Sequence, residues 1–70
     1  MMHMIHKKYR VDKTRIGFIR FVFEAHDGVA IATTLDASKG LIRLAIAPER
    51  LETANKIISD LKQDFMFDDV

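Results

Sequence analysis

The fold depends on residues 12–28, which read DKTRIGFIRFVFEAHDG and fit either a helix or a strand. As a helix, the segment begins at the N-cap Asp12 and has one face for the core, formed by Ile16, Ile19, Val22, Phe23 and His26. Arg20 and Glu24 then form an i,i+4 pair, and Gly28 lies near the C-terminal end. As a strand, the segment alternates apolar residues before the turn dipeptide Asp27-Gly28. We predict a helix over residues 13–26, because the run is long for one strand.

The elements on either side of this segment are easier to assign. Alternation over residues 5–11 predicts a strand, with Ile5, Lys7, Tyr9 and Val11 on one side and His6, Lys8 and Arg10 on the other. Residues 29–35 and 41–47 flank a turn-rich tract that ends in Gly40, and this pattern predicts a β-hairpin. Residues 48–64 are predicted to form a helix, with Pro48 at its first position and apolar residues at spacings of three and four.

This order of elements predicts one small α+β domain over residues 1–70, with residues 1–5 frayed. With a short closing strand near residues 65–67, it is a ferredoxin-like βαββα(β) two-layer sandwich with an antiparallel sheet and both helices on one face. If residues 13–26 form a strand instead, the alternative is a four-stranded antiparallel meander with one C-terminal helix.

The two hairpin strands each have a bulky side and a side of smaller residues. We expect the helices to cover the bulky side, which carries Val29, Ile31, Leu35, Ile42, Leu44 and Ile46. The smaller residues, expected on the open face, are Ala30, Ala32, Thr34, Leu41, Ala45 and Ala47. Phe18 and Phe21 lie toward the flank of the first helix. These apolar surfaces predict a homodimer that associates through the open sheet face.

Composition excludes several classes of protein. The chain has 70 residues, is 49% hydrophobic and 30% charged, and contains no cysteine, which rules out disulfide frameworks and thiolate chemistry. No apolar run is long enough for a membrane span, and we expect a cytoplasmic protein. The net charge is +1, yet residues 1–20 hold six lysines and arginines against one aspartate, whereas residues 51–70 are acidic.

No residues suggest catalysis, and we expect neither an enzyme nor a cofactor. Ser38 lies in a turn, Ser59 on the exposed side of a helix, and the side chains of the neighbours His26 and Asp27 diverge. His26 is read as a helix C-terminal residue that favours the helix dipole. We expect no metal site; the alternative is His3, whose imidazole and the amino terminus could bind Cu(II) or Ni(II).

A basic patch is predicted on the open sheet face. Alternation places His6, Lys8 and Arg10 outward on the first strand and Arg43 outward on its neighbour. We expect Lys8, Arg10 and Arg43 to bind an unidentified anionic ligand. The alternative is nucleic-acid binding by the same patch, although no outward aromatic residue is available for base stacking. A third hypothesis is an interaction subunit of a larger partner.

Three stretches of the chain resemble a family of short bacterial proteins of unknown function. They are residues 24–30 (EAHDGVA), 33–36 (TTLD) and 40–44 (GLIRL), and the resemblance extends over about residues 7–64. The family has no established activity and therefore implies no functional residue. More loosely, Asp12 before a helix and the strand at 29–35 are similar in layout to ACT-type regulatory domains. Those domains place a glycine soon after a proline in the first loop, whereas Gly17 lies deeper here and no proline precedes it.

Overall fold

A computed structural model describes residues 3–70, which form six regular elements. They are β1 (Ile5–Val11), α1 (Ile16–Ala25), β2 (Ala30–Asp36), β3 (Leu41–Ile46), α2 (Leu51–Asp64) and β4 (Phe67–Asp69). Single 3₁₀ turns precede α1, β3 and α2. The predicted helix over residues 13–26 is therefore confirmed: a 3₁₀ turn at Lys13–Arg15 leads into α1, and the Asp12 carboxylate accepts a hydrogen bond from the Thr14 backbone N–H.

The four strands form one antiparallel sheet in the order β2-β3-β1-β4. Because β1 and β2 are separated by β3, the chain must cross over between them, and α1 makes that crossing. This is the ferredoxin-like arrangement of a two-layer α+β sandwich, which confirms the predicted fold class. The meander alternative is wrong, because it requires a strand where α1 lies.

The hydrophobic core lies between the sheet and the two helices. Ile42, Leu44 and Ile46 of β3 are buried under Ile19 and Phe23 of α1 and the apolar side of α2. Apart from the Tyr9 phenol, no charged or polar side chain is buried among the described residues 3–70. The Tyr9 ring packs 4.8 Å from the Phe67 ring, and burial, with a smaller contribution from the Asp69 charge, raises the pKa of the Tyr9 phenol above its usual range. The core thus excludes ionised groups, and the chain's charges lie at the surface.

The two faces of β2 are the reverse of the sequence expectation. Ala30 lies opposite Ile46 and Ala32 opposite Leu44, so both alanines face the helices and pack against the core. Thr34 lies opposite the buried Ile42 and shares this side. Small side chains suit this position because α1 packs directly over β2. The predicted placement of Ala30, Ala32 and Thr34 on the open face was therefore wrong.

The larger residues of β2 face solvent instead. Ile31 lies opposite Ala45 on the open face and is 65% exposed. Leu35 is 40% exposed at a bulge, where the register shifts between Thr34 and Asp36. Alternation along a strand reveals two faces but does not identify which one is buried, and the bulky face was assigned to the core for its hydrophobicity alone.

Further positions also differ from expectation. Ala47 is 8% exposed rather than on an open face, because it follows β3 and its N–H donates to the Val29 carbonyl at 3.1 Å. His26 caps the end of α1 and is exposed rather than in the core. Ile5, predicted to be frayed, pairs with Ile46 in the sheet. The rest of that prediction falls partly on Met1 and Met2, which lie outside the described residues.

The hairpin loop is held by Asp36 and Gly40. The Asp36 Oδ1 accepts hydrogen bonds from the Ser38 and Lys39 backbone N–H groups and from the Ser38 hydroxyl. Gly40 ends this turn with a left-handed φ of 68° and is buried against Val11, whose N–H donates to the Gly40 carbonyl at 2.8 Å. The loop is thereby attached to the end of β1.

Two turn carboxylates make folding stability dependent on pH. Hydrogen bonds from Thr14 lower the pKa of the Asp12 carboxyl, and hydrogen bonds led by the Ser38 hydroxyl lower the pKa of the Asp36 carboxyl. Because both folded pKa values lie below the unfolded ones, this stabilisation is present above about pH 4 and is lost as the pH falls through the folded pKa. We expect Asp36→Asn, which retains a capping oxygen, to flatten the loss of stability in acid, measured by urea unfolding at stepped pH. An unchanged slope would contradict this role for Asp36.

Candidate functional site on the open sheet face

The open face of the sheet is centred on two cations. Lys8 of β1 and Arg43 of β3 are direct cross-strand partners, and Thr33 of β2 lies opposite Arg43 on its other side. Because residues opposite one another in antiparallel strands point to the same side, these three form a row across the middle of the sheet. The sequence prediction that Lys8 and Arg43 share this face is consistent with the observed register.

A second and a third row lie on either side of this central row. One row runs across β2, β3 and β1 as Ile31, Ala45 and His6. The other runs across all four strands as Asp36, Leu41, Arg10 and Asp68. Arg10, the third predicted ligand residue, therefore has an acidic neighbour on β4, whereas the two cations of the central row have none in their own row.

The central charges are not neutralised within the described part of the chain. Over residues 3–70, the ion pairs are Lys56–Glu52 and Lys62–Asp69, and both lysines belong to α2 in the other layer. Like charges directly opposite one another in a sheet destabilise it. The Arg43 Nε is shielded from solvent and has no hydrogen-bond partner. The sheet therefore places two like charges opposite one another at its centre, and neither has an ion-pair partner within residues 3–70.

Apolar side chains occupy the β2 half of the same face. Leu41 and Ala45 of the predicted interface do lie here, together with the exposed Ile31 and Leu35. The other predicted interface residues face the helices or the core, as described above. Two copies of this face meeting about a two-fold axis would bring both Lys8–Arg43 pairs into one contact, which like-charge repulsion opposes.

An open groove of about 450 Å³ adjoins the row at the β4 edge of the sheet. It is lined by His6, Lys7, Lys8, Tyr9, Asp69 and Val70. It exists because β4 pairs with β1 only at Tyr9–Val11, so the first half of β1 has no strand beside it on that edge. A ligand seated on Lys8 has space in this direction.

Sequence reasoning missed two parts of this site. Thr33 was given no role, and Ile31 was assigned to the core. Both belong to the face because of the β2–β3 register, which follows from the bulge before Asp36. Asp68 was also missed, since its place opposite Arg10 depends on where β4 pairs. No local sequence feature distinguishes these residues. Only the correct register of β2 and β4 would have placed them on this face.

The histidine, serine and aspartate side chains considered above for catalysis make hydrogen bonds to their own turns and helices or lie exposed. The His26 ring bonds through Nδ1 to the Val22 carbonyl at 2.9 Å, within its own helix. Ser38 donates to Asp36 at 2.7 Å inside the hairpin turn, and Ser59 lies exposed on α2. The Asp27 carbonyl accepts a hydrogen bond from the Arg50 guanidinium at 3.3 Å. Each polar contact therefore supports a turn or a helix end.

The described residues contain neither a group of potential metal ligands nor a membrane-spanning helix. Within residues 3–70, no three of the His, Asp and Glu side chains are grouped closely enough to hold a metal ion. The alternative metal site at His3 requires the amino terminus, and it therefore lies in part outside the described residues. No helix in the described region combines the length and the apolar character needed to cross a bilayer.

Comparison with known proteins identifies a family. Residues 9–64 match the family described as a domain of unknown function, DUF4911. The match covers most of the 70 residues, and the chain therefore belongs to this family. Neither the curated proteins nor the solved structures contain a match to the chain. The predicted resemblance to a family of short proteins of unknown function is thus confirmed.

Proposed function

We propose that this member of the family is a non-catalytic binding module that recognises the anionic group of a small molecule at Lys8 and Arg43. The observation that carries the proposal is the direct pairing of these cations at the centre of the sheet without a neighbouring carboxylate in their row. A bound phosphate or carboxylate group converts that repulsion into two favourable charge interactions.

The side chains of the row have complementary binding chemistry. A guanidinium group offers several donors in one plane to an oxyanion, and a lysine ammonium adds a mobile point charge. The Thr33 hydroxyl lies opposite Arg43 and provides a further donor. Arg10, one row away, supports the site through its charge while Asp68 partly offsets it. Each hydrogen bond to a charged group contributes roughly 1.5–3 kcal/mol.

A binding role is favoured over catalysis by where the perturbed carboxyl groups lie. The lowered pKa values of the Asp12 and Asp36 carboxyls come from hydrogen bonds that cap turns, which is a structural use of both groups. The proposal extends to a regulatory role in a bacterial cytoplasm. That extension rests on the similarity in layout to ACT-type domains: Asp12 caps the 3₁₀ turn that leads into α1, and the strand β2 follows that helix.

The proposal predicts that Arg43→Gln weakens anion binding by tenfold or more. Loss of one charge-assisted hydrogen bond is expected to have about this effect. The probe is pyrophosphate, titrated into the protein and followed by backbone amide shifts, which should change first around Thr33, Arg43 and Lys8. Lys56→Gln is the matched control, because it removes an exposed cation from α2 in the other layer.

Three outcomes of these titrations would contradict the proposed anion site or replace it. Equal pyrophosphate affinity of Arg43→Gln and the unaltered protein contradicts the site, as does a change that Lys56→Gln reproduces. A parallel titration with a single-stranded oligonucleotide tests nucleic-acid binding, whose affinity falls steeply with salt. If the oligonucleotide binds far more tightly than pyrophosphate and with a steep salt dependence, the small-molecule proposal is replaced by that alternative.

A further inference from the structure

The outer side of α1 is apolar although it faces away from the sheet. Phe21 is 65% exposed and Phe18 is 46% exposed, whereas Ile19 and Phe23 of the same helix are buried. At 3.6 residues per turn, Phe21 lies almost diametrically opposite the buried pair, flanked by the exposed Gly17 and Ala25. Exposed apolar side chains of this size on the side of a helix opposite the core usually mark a contact surface.

Neither the backbone conformation nor a close contact within the described residues requires a glycine at position 17. It lies inside α1 near its start, its φ is not positive, and a Cβ at this position would meet nothing within 4 Å. Glycine inside a helix costs about 0.5–1 kcal/mol relative to alanine, without any compensation here from the chain itself. A glycine at this position would allow another backbone to approach this side of α1 closely, because it has no side chain in the way.

The charged side chains of α1, Arg20 and Glu24, form no ion pair with the described residues 3–70. Arg20 and Glu24 stand one turn apart on one flank of Phe21, at the spacing of an ion pair. The predicted pair is nevertheless wrong, because among residues 3–70 no ion pair within 4.0 Å includes either residue. Both groups remain available to a partner.

We propose that α1 packs antiparallel against α1 of a second copy of this chain, with Phe21 at the two-fold axis. In an antiparallel helix pair, the flank that carries Arg20 and Glu24 meets the same flank of the partner. Arg20 then lies near Glu24 of the partner subunit, and the reverse contact follows by symmetry. Gly17 of one copy lies near Ala25 of the partner subunit, which lets the helices approach closely around the phenylalanines.

A second copy fits this face because the face is complementary to itself. A two-fold rotation about an axis through Phe21 brings the positive Arg20 of one copy near the negative Glu24 of the partner subunit, and the same contact forms in reverse. A parallel arrangement would instead place the charged flank against the Phe18 flank. The open sheet face lies in the other layer of the molecule, so this dimer leaves both Lys8–Arg43 rows accessible, and the inference does not depend on the proposed function.

The test is a charge exchange followed by sedimentation velocity at tens of micromolar. The unaltered protein should sediment at twice the 8.1 kDa chain mass. Arg20→Glu alone and Glu24→Arg alone should each sediment as single chains, because each places like charges opposite one another. An equimolar mixture of the two variants should restore the dimer as a heterodimer, since each chain then supplies the charge that the other lacks.

Two further variants control for folding and for aromatic contact. Phe21→Ser, at an exposed position, should weaken association by about 30-fold or more, as expected of a central aromatic residue. Lys56→Glu reverses an exposed charge on α2 and should leave the mass unchanged. An 8.1 kDa species for the unaltered protein overturns the proposal. A dimer that survives both Phe21→Ser and the single charge reversals overturns it as well, and circular dichroism verifies that each variant is folded.

Discussion

Replacing Gly40 by alanine should destabilise the protein by about 2–4 kcal/mol, lowering Tm by 10 °C or more. Two effects combine at this position. Its φ of 68° is unfavourable for any residue with a side chain, and a Cβ would overlap the Val11 carbonyl oxygen, which belongs to the backbone and cannot rotate away. Relieving that overlap requires the hairpin loop to move away from β1, breaking the hydrogen bond from the Val11 N–H to the Gly40 carbonyl.

The other glycines provide matched controls for this prediction. Gly28 also has a positive φ, of 76°, but its nearest neighbour is the flexible Arg50 side chain at 3.9 Å, so Gly28→Ala should cost less. Gly17→Ala should stabilise α1 slightly, because the position is helical and open. Thermal unfolding by circular dichroism in dilute solution ranks the three variants. A Gly40→Ala protein as stable as Gly28→Ala would show that the close contact with Val11 does not exist.

Ile46→Ala should cost about 2–5 kcal/mol, out of a total stability of about 4–10 kcal/mol for a domain of this length. Ile46 is fully buried between β1 and β2, where it lies opposite Ile5 on one side and Ala30 on the other. The substitution leaves a cavity under the helices, and the small Ala30 side chain cannot fill it.

Ile31→Ala is the control, because it removes the same atoms from the neighbouring strand on the open face. Ile31 is 65% exposed, so its substitution should cost well under half as much. Urea unfolding of both variants measures the difference directly. If Ile31→Ala proved the more damaging change, the β2 register described above would be wrong by one residue, since such a slip exchanges the two faces of a strand.

Most of the fold could be predicted from local sequence. Residues 13–25 formed a 3₁₀ turn and α1 because the segment is too long for a strand, is preceded by the capping Asp12 and has a helical apolar period. Residues 5–11 formed β1 with the predicted bounds, and Pro48 marked the start of the last helical segment. Each of these features depends on residues within a few positions of one another, and such short-range preferences are legible without knowledge of the rest of the chain.

The candidate site was predictable only in part. The outward direction of Lys8, Arg10 and Arg43 followed from alternation once their strands were known. The same rule failed for β2, because both of its faces are apolar and either could be buried. The packing of α1 over β2 determines which face is buried. The small side chains of Ala30 and Ala32 fit under the helix, and the larger Ile31 lies on the open face.

What the sequence by itself determined was therefore the identity of the elements, their order and the polarity of strands with one charged side. What only the tertiary structure decided was the register of β2 against β3, which places Ile31 and Thr33 on the open face. It also decided the position of Asp68 opposite Arg10 and, within residues 3–70, the absence of an ion pair at Arg20 or Glu24. The physical reason is that register and pairing are set by packing between residues distant in the chain. A one-residue slip along β2 leaves every local preference of that strand satisfied while it exchanges the buried face for the exposed one.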